Sequence, residues 1–138
     1  GNPTITNNLF VVVRHRNHLG VLSNSGATLT GNNYTYDFST GINQAYGGSA
    51  GYKEIGSGIF GMVSGDVDSD GNVLSFDFNQ WTNDFGNTGY QNSDCDLDGN
   101  VFSSDFNYWS NNFGISTPIL APGSGNGATY RCMIPNNQ

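Results

Sequence analysis

The sequence predicts an α+β fold in which a pair of loop–helix repeats is inserted into a small β-sheet or β-sandwich module. The first observation is an internal repeat, because residues 66–86 recur as residues 94–114 with 14 of 21 positions identical. The second is an alternating apolar pattern before the repeat, which is typical of strands. The predicted division is a β-rich module over 1–64, the double repeat over 65–114, and a connection with a returning final strand over 115–138.

The β-rich module begins with the sequence LFVVVRHRNHLGVL at residues 9–22. This stretch predicts a β-hairpin or two consecutive strands with a turn near 17–20. We expect its first part to be buried on both faces and its later part to be half exposed. Residues 39–57 are rich in Gly, Ser and Asn and predict no more than one helical turn, near 42–45. Further strands are predicted at 34–38 (YTYDF), 58–63 (GIFGMV) and 128–134 (ATYRCMI).

Each repeat opens with acidic residues at alternating positions, followed by Gly, then Asn, and a further Asp at the twelfth position. This spacing matches the calcium loop of the EF-hand type, with Asp in place of the usual Glu at the end. Leu74 and Phe102, at the ninth position, cannot bind a cation through their side chains. The candidate ligands are Asp66, Asp68, Asp70, Asn72 and Asp77 in the first loop, and Asp94, Asp96, Asp98, Asn100 and Asp105 in the second.

Calcium prefers six to eight oxygen ligands, which alternating carboxylates on a tight loop can supply. Gly71 and Gly99 permit the sharp bend, and Asn72 and Asn100 are expected to offer backbone carbonyls. We therefore predict two Ca²⁺ ions per chain. Nine of the eleven acidic residues lie between 66 and 105, so two ions would change the net charge from −7 to −3. The alternative is a run of solvated acidic turns.

Large aromatic residues follow each loop at helical spacing, which predicts one short helix per repeat with one apolar face. We expect the repeats to pack as a pseudo-twofold pair, with Val73 beside Val101 and with Trp81 and Trp109 buried. A sugar-stacking platform is the alternative use of these rings. The aromatic residues are Phe78, Trp81 and Phe85 in the first copy, and Phe106, Trp109 and Phe113 in the second.

Paired calcium loops, each followed by a single helix, resemble a type I dockerin over about 50 of the 138 residues. The resemblance implies recognition of a cohesin-like protein partner through the tenth and eleventh loop positions. Those positions are Ser75 and Phe76 in the first repeat, and Ser103 and Ser104 in the second.

A looser resemblance covers most of the chain. The segments VVVRHRNHLGVLS, YTYDFST, QAYG and GIFGMVSGDVDSDG are similar, in this order, to C-terminal regions of large secreted surface proteins of bacteria. We therefore expect an extracellular calcium-binding structural or assembly module of a surface protein or filament. A dockerin-type docking module is the alternative, and carbohydrate binding is a third hypothesis.

The acidic composition argues against nucleic acid or an anionic membrane as a partner, because only four residues are basic. No stretch reaches the length of a membrane span. Because the acidic clusters are assigned to calcium, we expect no enzymatic activity. His15 and His18 could share a metal ion or serve acid–base catalysis, but we favour a structural role in which this region hydrogen-bonds carbonyls and the acidic loops.

The two cysteines, Cys95 and Cys132, predict one disulfide in a secreted chain. The bridge would close a loop of about 38 residues and contribute roughly 4 kcal/mol to stability. Two unpaired thiols are the alternative.

The apolar strand at 9–13 has few residues before it to complete a sheet. An edge strand of this kind offers unpaired backbone groups to another chain. We therefore predict that the sheet is extended by strand addition from a neighbouring copy, with residues 1–8 or 128–138 as the donor. Extension by upstream sequence of the parent protein is the alternative.

Overall fold

A computed structural model describes residues 8–119 of the 138-residue chain. Within this range the chain forms six short strands, one 3-10 turn and two helices, which agrees with the predicted α+β class. Neither helix has the length and apolar character needed to span a bilayer. The elements are β1 (Val12–His15), β2 (His18–Leu22), β3 (Thr28–Thr30), β4 (Asn33–Thr35), the 3-10 turn (Ile42–Gln44), β5 (Tyr52–Gly56), β6 (Ile59–Met62), α1 (Ser75–Asp84) and α2 (Ser103–Asn112).

The first hairpin joins β1 and β2, which confirms the two consecutive strands predicted for residues 9–22. The strands are antiparallel, with Val12 opposite Leu22 and His15 opposite His18. The hairpin turn is therefore formed by Arg16 and Asn17, close to the predicted position.

The burial predicted for this hairpin is wrong. Val12 and Val13 of β1 are each 37% exposed, whereas β2 is buried from Leu19 onwards. The reason is that β2 lies in the centre, because the Leu19 amide donates to the Val63 carbonyl at 2.8 Å. Among residues 8–119, β1 has β2 as its one strand partner.

The other two hairpins pair β3 with β4 and β5 with β6. β6 and the 3-10 turn lie where the sequence predicts them, but the strand expected at 34–38 begins earlier and ends at Thr35. Tyr36 leaves the ladder because its hydroxyl donates to the Gln44 carbonyl at 2.5 Å. β3 and β5 are not predicted by the sequence pattern.

Two apolar clusters hold these elements together. Leu19, Val63 and Val73 are fully buried and form the first, with Trp109 and Ile115 packed against it. This cluster joins β2 to the first loop and to α2, so the β-rich module and the repeats share one core. The second cluster lies within the β-rich module and consists of Val21, Ala45 and Tyr52, with Phe38, Ile42, Phe60 and Met62 against it.

The helices contact each other through the predicted aromatic faces. The rings of Phe78 and Trp109 have centroids 5.1 Å apart, and the equivalent rings of Phe106 and Trp81 are 5.4 Å apart. The indole N–H group of each repeat also donates a hydrogen bond to a carbonyl of the other repeat. Trp81 donates to the Phe102 carbonyl at 3.0 Å, and Trp109 donates to the Leu74 carbonyl at 2.8 Å.

One detail of the predicted packing is wrong. Both tryptophans are half-buried rather than buried, because their indole rings lie at the rim of the helix pair. The placement of Val73 beside Val101 stays a prediction, and both valines are fully buried. The amide of Val73 donates to the Ile115 carbonyl and the amide of Val101 to the Asn87 carbonyl, each at 2.9 Å. Each loop is therefore paired with the segment that follows the other helix.

Several predictions concern residues that the structure does not describe. They are the final strand at 128–134, Cys132, and the proposed strand donors at 128–138 and at 1–8, of which only Asn8 is described.

Candidate metal centre

The two loops follow the same backbone path. Ser69 and Leu97, at the fourth loop position, have left-handed φ values of 62° and 65°. Gly71 and Gly99, at the sixth position, have φ values of 89° and 90°, a conformation that glycine adopts at low cost. The repeat in sequence is therefore a repeat in structure, and each loop wraps its carboxylates toward one point.

The last acidic residue of each loop closes it on the first turn of the following helix. Asp77 accepts hydrogen bonds from the amides of Val67, Asp68 and Leu74 at 2.6–3.1 Å. Asp105 accepts the equivalent bonds from Cys95, Asp96 and Phe102 at 2.7–3.1 Å. These carboxylates fix the loop ends and cap the helices at the same time.

The carboxylates form two clusters that could hold a metal ion. Asp66, Asp68 and Asp70 make up the first, and Asp94, Asp96 and Asp105 the second, with the oxygens within 4.8 Å of one another in each. Asp77 and Asp98, which the sequence also predicts as ligands, are not members of these two groups. The side chains of Asn72 and Asn100 bond to Asp70 and Asp98, which is consistent with their predicted use of backbone carbonyls.

Asp66 has the surroundings expected of an ion ligand. Its side chain is 3% exposed, and its Oδ2 accepts from the Gly71 amide at 3.2 Å. Its Oδ1 is buried and has no hydrogen-bond partner among residues 8–119. Burial, together with the charge of Asp77, raises the pKa of Asp66 to about 7. A cation would compensate this buried oxygen, so the residues present fit a metal ion.

The second cluster differs because a basic side chain reaches it. The guanidinium of Arg16 lies 3.3 Å from Asp94 Oδ2, and it also lies over the ring of Tyr90. Asp94 Oδ1 accepts a further bond from the Asp98 amide at 3.0 Å. Burial raises the pKa of Asp105, so its charged form is disfavoured in the metal-free chain.

The turn between β1 and β2 docks onto both loops. Asn17 is fully buried, and its Nδ2 donates to the carbonyls of Asn92 and Asp94 at 2.9 and 2.6 Å. The hydroxyl of Ser69 donates to the Arg16 carbonyl at 3.1 Å. The expected contact of this basic turn with the acidic loops is confirmed, but the sequence does not single out Asn17 as its centre.

His15 and His18 come together at the same turn. Their Nδ1 atoms are 3.0 Å apart, and each lies within 3.0 Å of Asn17 Oδ1. Burial is the main cause that lowers the pKa of His18 to about 4, and the charges of His15 and Arg16 contribute. Its imidazole ring is therefore neutral at pH 7. Among the described residues no carboxylate or cysteine completes a larger metal cluster with them.

The predicted partner-binding residues are separate from the carboxylate clusters. Ser75, Phe76, Ser103 and Ser104 lie on the first turns of the two helices and are all exposed, with Phe76 70% exposed. Cys95 occupies the place that Val67 has in the first repeat and is likewise buried, which raises its pKa to about 12. The Cys95–Cys132 bridge stays a prediction because Cys132 is outside the described range.

These features define an α+β protein with two repeated acidic clusters able to hold metal ions. No family model matches the chain, and no match was found among the curated proteins or the solved structures.

Proposed function

We propose that this chain is a calcium-binding structural module of an extracellular assembly, and that each loop holds one Ca²⁺ ion. The observation that carries the proposal is the buried and unpartnered Oδ1 of Asp66 inside a carboxylate cluster that the second repeat reproduces. Carboxylate and carbonyl oxygens without sulfur or imidazole ligands suit hard cations such as calcium.

Calcium fits these loops better than magnesium. Magnesium requires near-ideal octahedral geometry, whereas calcium accepts irregular sets of oxygens from a flexible loop. In the proposed state, Asp66, Asp68 and Asp70 bind the first ion, and Asp94, Asp96 and Asp105 bind the second. The proposal assigns Asp77 to the first ion and Asp98 to the second as further ligands.

The proposed role is structural because the ions would hold the two halves of the molecule together. The first loop contributes Val73 to the core that also contains Leu19 and Val63 of the β-rich module. The β1–β2 turn is bonded to the second loop through Asn17 and Arg16. The carboxylates serve the ions, so the proposal assigns the chain no enzymatic activity.

The assembly part of the proposal rests on β1. This strand lies at the outer edge of its hairpin and exposes Val12 and Val13, and β2 is its one strand partner among the described residues. A further strand from another chain could pair with such an edge. Light scattering on the calcium-loaded protein should therefore show a mass above that of a monomer, and Val12→Lys should reduce it. A monomeric mass at high concentration would exclude self-association.

Docking to a cohesin-like protein is the second candidate function. The favouring observation is that Ser75, Phe76, Ser103 and Ser104 are exposed at equivalent places on both helices. A pull-down with cohesin domains in calcium, compared with the Phe76→Ala variant, separates docking from a structural role. Capture that requires Phe76 would favour docking.

Calorimetric titration of the calcium-stripped protein tests the proposed ions directly. We expect two Ca²⁺ per chain and weaker binding of Mg²⁺. Glu54→Gln is a matched control, because Glu54 lies outside the loops and bonds the Gly58 amide, so its loss should leave the stoichiometry unchanged. Fewer than two calcium sites would contradict the proposal.

A further inference from the structure

We propose that the β1–β2 turn forms a separate transition-metal site, in which Nδ1 of His15, Nδ1 of His18 and Oδ1 of Asn17 bind one ion such as Zn²⁺ or Cu²⁺. The three atoms form a nearly equilateral triangle. The two nitrogens are 3.0 Å apart, and they lie 3.0 and 2.7 Å from the Asn17 oxygen. This site is distinct from the acidic loops in its residues and in its ligand chemistry.

Hydrogen bonds alone do not satisfy this triangle. The Asn17 amide is fixed with its nitrogen toward the carbonyls of Asn92 and Asp94, so its oxygen at the triangle is an acceptor only. A contact between the two Nδ1 atoms needs a proton on one ring and a lone pair on the other. The ring with the lone pair then faces the lone pairs of the Asn17 oxygen. If both rings carry the proton on Nδ1, the two N–H groups face each other instead.

A metal ion accepts all three lone pairs at once. The separations between the three atoms are also close to those of ligands around one bound ion. Imidazole nitrogens lie about 2.1 Å from a bound zinc ion. Two ligands at that distance are about 3.0 Å apart when they meet the ion at a right angle, and about 3.4 Å apart at the tetrahedral angle. Two of the observed separations are 3.0 Å and match the first of these values, whereas the third, between His18 and Asn17, is shorter at 2.7 Å. Imidazole and amide oxygen are ligands that suit zinc, copper and nickel, whereas calcium prefers oxygen alone.

The fold holds the three ligands in place. His15 and His18 face each other across the first residue pair of the hairpin, and their ring planes are nearly perpendicular at 78°. Asn17 is fully buried, which fixes the third ligand. His15 is exposed, so an ion can reach the site from solvent.

A small cavity supplies room for further ligands. It measures about 30 Å³ and is lined by His15, His18, Arg14, Asp66, Ser69 and Thr117, together with Gly20 and Gly71. This exceeds the roughly 10–15 Å³ that a cavity needs to hold one water molecule, and its lining is polar. A bound water there would complete a four-coordinate site. Arg14 and Arg16 carry like charge and weaken the attraction for a cation, so the affinity depends on the nitrogen ligands.

Nuclear magnetic resonance of histidine-¹⁵N-labelled protein tests the site. The chain should be free of any histidine tag and saturated with Ca²⁺, so that the acidic loops do not compete for the added metal. Since the sequence contains two histidines, every imidazole signal belongs to this pair. On addition of one equivalent of Zn²⁺ we expect both Nδ1 resonances to shift to the metal-bound range, with the ring protons on Nε2.

Two substitutions separate metal binding from hydrogen bonding. His15→Ala should weaken zinc binding by about tenfold or more. His15→Asn keeps a polar group beside Asn17 but removes the ring nitrogen, and should weaken binding to a similar extent while the fold is kept. The control Asp96→Asn alters an acidic loop and should leave the histidine shifts unchanged.

Histidine resonances that stay in place at two equivalents of Zn²⁺ would overturn the proposal. So would shifts of His18 that persist with unchanged affinity in both His15 variants. The histidine signals report zinc binding at the β1–β2 turn whether or not the acidic loops bind calcium. The Asp96→Asn control shows separately whether an acidic loop contributes to the zinc signal.

Discussion

Asp66 and Asp94 occupy the same position in the two repeats, yet their carboxylates have different surroundings. Both oxygens of Asp94 accept hydrogen bonds, and Arg16 lies beside them. One oxygen of Asp66 accepts a bond from Gly71, while the other is buried without a partner among the described residues. The same residue at the same repeat position therefore has different partners, and one of the differences is the contact of Asp94 with Arg16 of the β1–β2 turn.

This difference predicts the pH dependence of the calcium-free protein. The folded pKa of Asp66 is raised from 3.8 to about 7. Between these values the folded protein keeps a proton that the unfolded chain releases, so the free energy of unfolding falls as pH rises through this window. The lowered pKa of His18 acts in the opposite direction below about pH 6.5, but it does so in every variant that keeps His18. We therefore expect the calcium-free protein to lose stability between pH 5 and pH 8 relative to its Asp66→Asn variant, as measured by urea denaturation.

Two substitutions assign this effect to Asp66. Asp66→Asn removes the buried charge and should stabilise the calcium-free protein at pH 8 by roughly 1–3 kcal/mol. Asp94→Asn removes the partner of Arg16 and should not stabilise it. Equal effects of the two substitutions would contradict the assignment.

At the scale of elements, α1 and α2 are joined by contacts that the repeat duplicates. Phe78 and Phe106 each pack on the tryptophan of the opposite helix. Each indole also donates to the carbonyl that precedes the opposite helix. Helices of ten residues are marginal alone, so these crossed contacts are what keeps them folded.

The crossed indole bonds predict the effect of tryptophan substitutions. Trp81→Phe and Trp109→Phe keep an aromatic ring but leave a carbonyl of the opposite repeat without its donor. Each should lower the free energy of unfolding of the calcium-loaded protein by about 1–2 kcal/mol. Phe76→Ala is the control, because Phe76 is 70% exposed, and should change stability by less than about 0.5 kcal/mol. If the tryptophan variants behave like this control, the indole bonds do not stabilise the helix pair.

The two loops are expected to differ in calcium affinity. Arg16 neutralises part of the charge of the second cluster, because its guanidinium lies 3.3 Å from Asp94 Oδ2. Asp68→Asn and Asp96→Asn are a matched pair, since each carboxylate accepts one amide bond at 3.1 Å. Calorimetry should show that Asp68→Asn removes the tighter binding step and Asp96→Asn the weaker one. If Asp68→Asn removed the weaker binding step instead, Arg16 would not be the cause of the difference in calcium affinity between the loops.

The helices and the ligand loops could be predicted from sequence because their signals are local and occur twice. Asp, Gly and aromatic residues at fixed spacing specify a loop and a helix without reference to the rest of the chain. β5 could not be predicted, because Lys53, Glu54 and Gly56 carry no strand pattern and the strand is defined by its pairing with β6. The bond from Asn17 to the Asp94 carbonyl joins residues 77 apart, and no local pattern reports such a contact.

At the scale of the whole molecule, the calcium loops and the β-rich module depend on each other. Leu19, Val63 and Val73 are each fully buried in one cluster, although they come from β2, the segment after β6, and the first loop. The second cluster, around Val21 and Tyr52, lies within the β-rich module. Loss of order in the first loop should therefore disrupt the packing of the cluster that contains Val73. It should disrupt the second cluster less.

Calcium removal should show this dependence in amide hydrogen exchange. The amide of Leu19 donates to Val63 and that of Val73 to Ile115. We expect both to exchange faster in calcium-stripped protein, at similar rates, because they lie on one cluster. The amide of Phe60, which donates to Ser39 beside the second cluster, should be less affected. Unchanged protection of Leu19 would mean that the β-rich module folds without calcium.

The same dependence predicts that a core substitution far from any ligand weakens calcium binding. Val63 is fully buried between Leu19 and Val73, and Val63→Ala leaves a cavity that destabilises the calcium-bound form. Because folding of the loop and binding of the ion share one free energy, calcium affinity should fall by several-fold to about tenfold. Ile59→Ala is the matched control, since Ile59 belongs to the neighbouring β6 but is 54% exposed, and its calcium affinity should equal that of the unaltered chain. Equal affinities for Val63→Ala and Ile59→Ala would show that the loops bind calcium independently of the sheet, and the ions would then hold the repeat alone.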